Sequence, residues 1–140
     1  MFRSLRHWWK NRRAPQSLGR RGEVAAARFL RRKGYHIVAR GERDPLGEID
    51  LIAVEGRTVV FVEVKTRSSL DAGHPAEAVD LAKQRRLTRA GLSFLKRHKL
   101  LDNAYRFDVV AIVWPRGQKR PHIEHIVGAF EPAGRFQFFD

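Results

Sequence analysis

The sequence contains no cysteine, so neither a disulfide framework nor a thiolate-ligated metal site can form. No uninterrupted apolar run approaches the roughly 20 residues that a membrane-spanning helix needs. Charged residues also interrupt the N-terminal segment MFRSLRHWWK too closely for a signal peptide. We therefore expect a protein that does not insert into a membrane, and a cytoplasmic location agrees with these absences.

Acidic residues are scarce, with 15 Asp and Glu against 28 Lys and Arg, and the net charge is +13. Residues 1–21 contain seven basic residues and no acid, with Trp8 and Trp9 among them, and residues 81–101 contain another seven basic residues and no acid. A polyanionic partner accounts for this excess, with nucleic acid as the first candidate and an anionic membrane surface as the second. A basic protein without such a partner remains an alternative.

The length of 140 residues and the 43% of hydrophobic residues predict one domain with a buried core. We divide the chain into a basic, Trp-containing arm at 1–16, a single α/β domain at 17–130 and a tail at 131–140. The arm could bind phosphates and stack on bases, anchor the protein at a membrane surface, or be a flexible tail.

Hydrophobic periodicity and the positions of Gly and Pro predict the elements of the domain. We expect a helix at 17–33, a strand at 35–40, a loop at 41–47, strands in EIDLIAV and TVVFVEVKT, a loop at 67–75, a helix at 75–99, and strands at 105–114 and 122–130. In the second helix Lys83 interrupts an otherwise apolar stripe. The order of helix, three strands, helix and two strands predicts a mixed β-sheet flanked by α-helices.

The short turn between the second and third strands fixes which of their residues face each other. Gly56-Arg57 suits a two-residue type II′ hairpin, because glycine tolerates the first central position. That turn places Asp50 opposite Glu63. Side chains alternate along a strand, so Lys65 lies on the same face as Glu63.

Two facing carboxylates in an apolar strand pair are costly to bury unless cations compensate them. Lys65 supplies one positive charge, and a divalent ion would supply two. A site of hard oxygen ligands without Cys or paired His favours Mg²⁺ or Mn²⁺. The alternative is a plain ion pair at the solvent-exposed end of a strand, formed by Glu63 and Lys65 or a nearby Arg.

The combination of Asp50 with Glu63-Val64-Lys65, behind a helix that carries Glu23, resembles the PD-(D/E)xK nuclease superfamily. The segments GRRGEVAAARFLRRKGYHIVAR, GEIDLIA, VVFVEVKTR, GHPAEAVDLAKQRRL and RFDVVAI resemble more closely the small bacterial YraN family, whose fold is similar to that of Holliday-junction resolvases. The resemblance runs from about residue 19 to residue 113. It implies an α/β, restriction-endonuclease-like fold.

The resemblance also implies a function, that of a Mg²⁺- or Mn²⁺-dependent endonuclease that hydrolyses phosphodiester bonds in DNA. Asp50 and Glu63 would bind the metal with the Val64 carbonyl, and Glu23 would reach the same ion, often through water. Lys65 would orient or deprotonate the attacking water and offset the phosphate charge. DNA is the expected substrate, with branched and single-stranded DNA as candidate forms, RNA is a further possibility, and a dimer is open.

Other polar residues have simpler interpretations. We expect a surface position for both His122 and His125, because residues three apart on a strand point to opposite faces, and we expect Asp108 to pair with a basic neighbour. A non-catalytic nucleic-acid-binding module on the same fold, acting with a partner complex, is the alternative function. In either case the residues expected to contact nucleic acid are Arg20, Arg21, Arg67, Lys83, Arg85, Arg86 and Arg89.

Overall fold

The computed structural model describes residues 17–132. The elements in chain order are helix α1 (Leu18–Arg32), strands β1 (His36–Asp44), β2 (Gly47–Glu55) and β3 (Thr58–Arg67), a 3₁₀-helix (Pro75–Ala78), helix α2 (Leu81–Arg97), and strands β4 (Tyr105–Val113) and β5 (His122–Phe130). The predicted arm at 1–16 lies outside the described residues, as do residues 133–140 of the predicted tail.

The five strands form one mixed sheet in the order β1-β2-β3-β4-β5. Only β3 and β4 pair in parallel, because the 3₁₀-helix and α2 return the chain between them, and the other neighbours are antiparallel. Residues 59–64 of β3 and 107–112 of β4 are all buried. These central strands are therefore covered on both faces, which explains why they are apolar without alternation.

Helix α1 covers one face of the sheet through Ala26, Ala27 and Leu30, which are fully buried against β2, β3 and β4. The Ser17 hydroxyl caps its start by accepting a hydrogen bond from the Arg20 N–H at 3.2 Å. At its other end Gly34 adopts a φ of 94°, so the chain turns sharply into β1. The small side chains allow a close approach of helix and sheet.

Helix α2 and the 3₁₀-helix cover the opposite face. Val79, Leu87, Ala90 and Phe94 are buried there around Phe61 and Phe107 of the sheet. Leu87, Ala90 and Phe94 confirm the apolar stripe that the sequence predicts for this helix, whereas Val79 lies before α2 begins. The stripe also shows why Lys83, at the start of α2, points toward the sheet rather than toward solvent alone.

The first strand is longer than predicted and the second begins one residue earlier, so the loop expected at 41–47 is wrong for residues 41–44 and 47. These residues continue β1 and pair with β2, with Asp44 opposite Gly47. The connection is a tight turn in which the Asp44 carboxylate accepts a hydrogen bond from the Leu46 N–H at 2.7 Å. Gly41, which suggested a loop, lies within the strand at a φ of 57°.

The single helix predicted at 75–99 is also wrong in its first part. Pro75–Ala78 is a separate 3₁₀-helix, and α2 begins only at Leu81. The Asp80 carboxylate caps α2 by accepting a hydrogen bond from the Lys83 N–H at 2.9 Å. An N-cap residue has a non-helical backbone, so the chain must break before it.

The element order and the flanking helices confirm the predicted fold class, an α/β, restriction-endonuclease-like arrangement with a mixed sheet. Within residues 17–132, no helix has both the length and the apolar character needed to cross a membrane.

Candidate active site

The predicted hairpin register is present in the structure. Glu55 faces Thr58, Gly56 adopts a φ of 59°, and the ladder between β2 and β3 continues to the pair Leu51–Val62. Beyond that pair the Val64 N–H donates to a carboxylate oxygen of Asp50 at 2.9 Å. At this end of the strand pair, the Asp50 side chain therefore accepts a hydrogen bond from β3 in place of a backbone carbonyl of β2.

Glu63 is the most deeply buried acid of this site, with only 4% of its surface exposed. The Lys65 Nζ lies 3.5 Å from its Oε1 atom, and the Lys83 Nζ lies 3.6 Å from the same atom. The second oxygen, Oε2, is buried and meets no hydrogen-bond donor. The two lysines thus compensate the charge of Glu63 at its Oε1 atom, whereas the Oε2 atom can still accept a further partner.

The electrostatics of the site oppose full ionisation of both acids. Burial, and then the charge of Asp50, raise the pKa of Glu63 to about 7, although Lys83 and Lys65 act in the opposite direction. Burial also raises the pKa of Asp50, while the Val64 N–H lowers it, as does a hydrogen bond with Glu63 that forms only when one of the two carboxyl groups is protonated. An additional cation at this pair would favour the state in which both carboxyl groups are ionised.

Glu23 lies on α1, near the Asp50 side of the site. Partial burial, followed by the charges of Asp50 and Glu48, raises its pKa. Within residues 17–132, however, no group of three or more acidic or imidazole side chains is placed to hold a metal ion. A role for Glu23 as a metal ligand therefore stays a prediction.

The donor set at Asp50 and Glu63 nevertheless suits one class of metal ion. Mg²⁺ commonly uses one or two carboxylates and completes its shell with water and substrate phosphate. Asp50 and Glu63 supply the carboxylates, and the Glu63 Oε2 atom lacks a hydrogen-bond donor. The residues present therefore fit a hydrated Mg²⁺ or Mn²⁺ ion, with the Val64 carbonyl as a predicted further ligand.

Lys83 is predicted to contact a phosphate near the metal site, and its Nζ atom lies beside the Glu63 carboxylate at the centre of the site. The sequence analysis missed the ion pair with Glu63, and the phosphate contact stays a prediction. The sequence feature that indicates this ion pair is the position of Lys83 in the apolar stripe of α2, because a lysine that faces the core needs a buried anionic partner.

The arginines predicted to contact nucleic acid divide into two groups. Arg67 extends from the end of β3 and donates to the Thr66 carbonyl at 3.0 Å, while the Arg21 guanidinium lies 4.2 Å from the centre of the Trp114 ring. The remaining predicted contacts, all exposed, are Arg20, Arg85, Arg86 and Arg89. Whether these groups bind nucleic acid stays a prediction.

A family model with the description "Uncharacterised protein family UPF0102" matches residues 22–112, which include Glu23, Asp50, Glu63, Lys65 and Lys83. The chain belongs to the UPF0102 family. This is the YraN family that its motifs resemble.

UPF0102 proteins of several bacteria are similar to this chain over most of their length. The one from Rhodopirellula baltica is 50% identical over 143 aligned positions, which cover 96% of this chain and 86% of that protein. The one from Paenarthrobacter aurescens is 49% identical over 116 positions, which cover 83% of this chain and 95% of that protein.

Proposed function

We propose that this UPF0102 protein is a metal-dependent endonuclease that hydrolyses phosphodiester bonds in DNA. The observation that carries the proposal is the pair formed by the buried Glu63 and the partly buried Asp50. Two lysines lie against one oxygen of Glu63, and its other oxygen has no hydrogen-bond donor. The similarity of GEIDLIA and FVEVK to the PD-(D/E)xK nucleases supports the same function. DNA is the proposed substrate class, with branched and single-stranded DNA as candidate forms.

Asp50, Glu63 and the Val64 carbonyl would hold the metal, with Glu23 completing its surroundings through water. A bound Mg²⁺ or Mn²⁺ would supply charge to the phosphoryl oxygens and lower the pKa of a coordinated water. The Val64 N–H restrains the Asp50 carboxylate, so at least one of the ligands is held in place before any ion binds.

The two lysines would act on the substrate side of the site. The side chains of Lys65 and Lys83 are 22% and 28% exposed, so both ammonium groups can reach an incoming phosphate. Because they share the Glu63 Oε1 atom, one lysine can turn toward a phosphate oxygen while the other remains paired with Glu63. Lys65 is the group proposed to orient the attacking water or to receive its proton.

The charge of the chain supports a nucleic-acid substrate. The net charge is +13, and the exposed Arg85, Arg86 and Arg89 lie on the helix that contributes Lys83 to the site. Phosphates lying along α2 would be attracted by these arginines and brought toward the carboxylate pair. DNA is proposed over RNA because of the similarity to DNA-cleaving families.

Metal binding is tested without knowledge of the correct substrate by titrating Mn²⁺ into the protein in a calorimeter. We expect binding to the natural sequence and its loss in Asp50→Ala, which removes one of two ligand carboxylates. Asp102→Ala is the matched control, because it removes an exposed acid far along the chain from the site. Equal Mn²⁺ binding by all three proteins would refute the metal site.

Catalysis is tested by incubating duplex, single-stranded and branched DNA with the protein and Mg²⁺ or Mn²⁺. We expect cleavage that Asp50→Ala and Lys65→Ala abolish and that Lys96→Ala, which removes an exposed lysine of α2, leaves intact. Absence of cleavage of every DNA and RNA form, with either metal, would contradict the enzymatic proposal.

One observation favours a second candidate, a non-catalytic nucleic-acid-binding module. Lys65 and Lys83 already compensate Glu63, so the fold tolerates this acid without a metal ion. This candidate predicts DNA binding that weakens with salt and is unchanged in Asp50→Ala. Loss of cleavage with retained binding in that variant would instead favour the nuclease.

A further inference from the structure

A second basic surface lies at the same end of the sheet as the candidate active site. Strands β3 and β4 run in parallel, so their carboxyl ends lie at the same edge. Lys65 lies near the end of β3, and its ladder partner on β4 is Ala111. Trp114 follows Ala111 by three residues, about 10 Å along the strand direction. The residues just beyond β4 are therefore neighbours of the site.

The loop that joins β4 to β5 is basic and exposed. Its sequence, WPRGQKRP at 114–121, contains no acid, and its basic residues Arg116, Lys119 and Arg120 are all exposed. Within residues 17–132, no acid forms an ion pair with any of the three. The fold does not use these charges to neutralise its own acids, so they are available to an anionic partner.

Trp114 holds this loop and supports an arginine. Its backbone N–H donates to the Arg67 carbonyl at 2.7 Å, and its indole Nε1–H donates to the Gln118 carbonyl at 2.9 Å. The Arg21 guanidinium lies over the Trp114 ring, 4.2 Å from the ring centre. Because Arg21 is exposed, the side of the guanidinium that faces away from the ring is accessible to a ligand.

The first turn of α1 connects this arginine to the candidate active site. Gly22, which has no side chain, lies directly against Thr66, the residue that follows Lys65. The two neighbours of Gly22 extend in different directions along the edge of the sheet. Arg21 reaches the end of β4, and Glu23 lies near the acid of β2. The basic surface and the proposed metal site therefore adjoin across this turn.

Polar contacts fix the two strands that carry the loop. The buried Asp108 accepts hydrogen bonds from the Arg106 Nε–H at 3.0 Å and from the Gly128 N–H at 2.9 Å. Its other oxygen lies 2.8 Å from the His125 Nε2 atom, and the His125 side chain is only 2% exposed. The predicted pairing of Asp108 with a basic neighbour is confirmed, and His122 is exposed as predicted, but the surface position expected for His125 is wrong.

We propose that the hairpin surface, formed by Arg21, Trp114, Arg116, Lys119 and Arg120, binds an unpaired segment of the DNA substrate with one base stacked on the Arg21 guanidinium. The three charges of the loop contact phosphates, and the planar guanidinium, supported by the Trp114 ring, takes the base. Bases within a duplex stack on one another and do not offer a free face. The inference rests on the proposed nuclease function, because the adjoining metal site is what makes the bound DNA a substrate.

Phosphate binding is tested with the full chain and a fluorescently labelled oligothymidylate, by fluorescence anisotropy in the presence of a chelator. We replace the three basic residues of the loop together with alanine. The slope of log affinity against log salt concentration should fall by about two, because each phosphate contact on a single strand contributes about 0.7. The matched control replaces Arg28, Arg31 and Arg32, which are exposed elsewhere on α1, and should keep the slope. An unchanged slope in the loop variant would overturn the proposal.

Base stacking is tested by comparing oligothymidylate with an abasic strand that has the same number of phosphates. The natural protein should prefer the oligothymidylate by at least about fivefold, the effect of one stacked base. Arg21→Lys keeps the charge but removes the plane, so this preference should fall by at least about fivefold. Arg28→Lys is the control and should keep it. A preference that Arg21→Lys leaves unchanged would overturn the stacking.

These measurements do not depend on catalysis, because the chelator removes any metal ion. Binding that meets both expectations, without cleavage of any DNA, would support the hairpin surface and contradict only the nuclease proposal. Metal-dependent cleavage by a protein whose loop variant and Arg21→Lys variant bind single strands as the natural protein does would contradict only the hairpin surface.

Discussion

Replacing Glu63 with Gln should stabilise the metal-free protein at alkaline pH and leave its stability almost unchanged at acid pH. Burial and the charge of Asp50 raise the pKa of Glu63 from 4.5 to about 7. The folded state therefore binds this proton more tightly than the unfolded state. The stability that this proton contributes is complete below about pH 4.5 and is lost as the pH rises through about 7.

The size of the effect follows from the same shift. At about 1.4 kcal/mol for each tenfold change in affinity, a rise from 4.5 to about 7 corresponds to about 3 kcal/mol. Gln has the shape of the protonated acid and does not ionise, so the variant should avoid this loss. Lys65 and Lys83 would lose a counter-ion, but both side chains are partly exposed and can be solvated by water.

The measurement is urea denaturation of both proteins between pH 4.5 and pH 8.5 in the presence of a chelator, followed by circular dichroism. Glu131→Gln, at an exposed residue after β5, is the matched control and should shift neither curve. The reasoning is refuted if Glu63→Gln is less stable than the natural protein at pH 8.5, or if the difference does not change with pH.

Two further changes test the packing of α1 and the basic face of α2. Gly22→Ala should destabilise the protein by about 1–3 kcal/mol in denaturant titrations, because the added Cβ atom would lie 1.8 Å from the Thr66 Oγ1 atom. Gly19→Ala is the control: its added Cβ atom meets nothing within 4 Å, so it should leave the stability unchanged. The second change replaces Arg85, Arg86 and Arg89 together with alanine. If α2 binds DNA, the slope of log affinity against log salt concentration should fall by about three in this variant. An unchanged slope would exclude phosphate contacts by these three arginines.

The apolar strands and the hairpin were predictable from the sequence because local signals determine them. Residues 59–64 are buried on both faces and form an unmistakable hydrophobic run, and Gly56 takes the positive φ that the predicted turn requires. The end of β1 was not predictable in this way. It is an edge strand with partly exposed residues throughout, so residues 41–44 lack a hydrophobic pattern, and pairing with β2 is what makes them a strand.

The centre of the candidate site was predictable only in part. The register of one hairpin brought Asp50 and Glu63 together, and alternation added Lys65. The ion pair of Lys83 with Glu63 and the burial of His125 against Asp108 could not be predicted by such local rules, because these partners come from elements distant in sequence. Each nevertheless has a feature that is visible in the sequence. Lys83 interrupts an apolar helix face, and His125 lies in β5, which pairs with the buried strand β4.

The stability cost at Glu63 is itself an argument about function. An apolar residue at this position would join the core formed by Phe61 and Val109, and the fold would gain stability at neutral pH. The chain instead holds an acid whose ionisation is opposed by burial, restrains a second acid beside it through the Val64 N–H, and directs two lysines at the pair. Proteins concentrate such unfavourable groups at sites where charge is needed for binding or reaction. A divalent cation bound by Asp50 and Glu63 would favour ionisation of both acids and leave both lysines available to a phosphate. The nuclease proposal therefore accounts for all four side chains together.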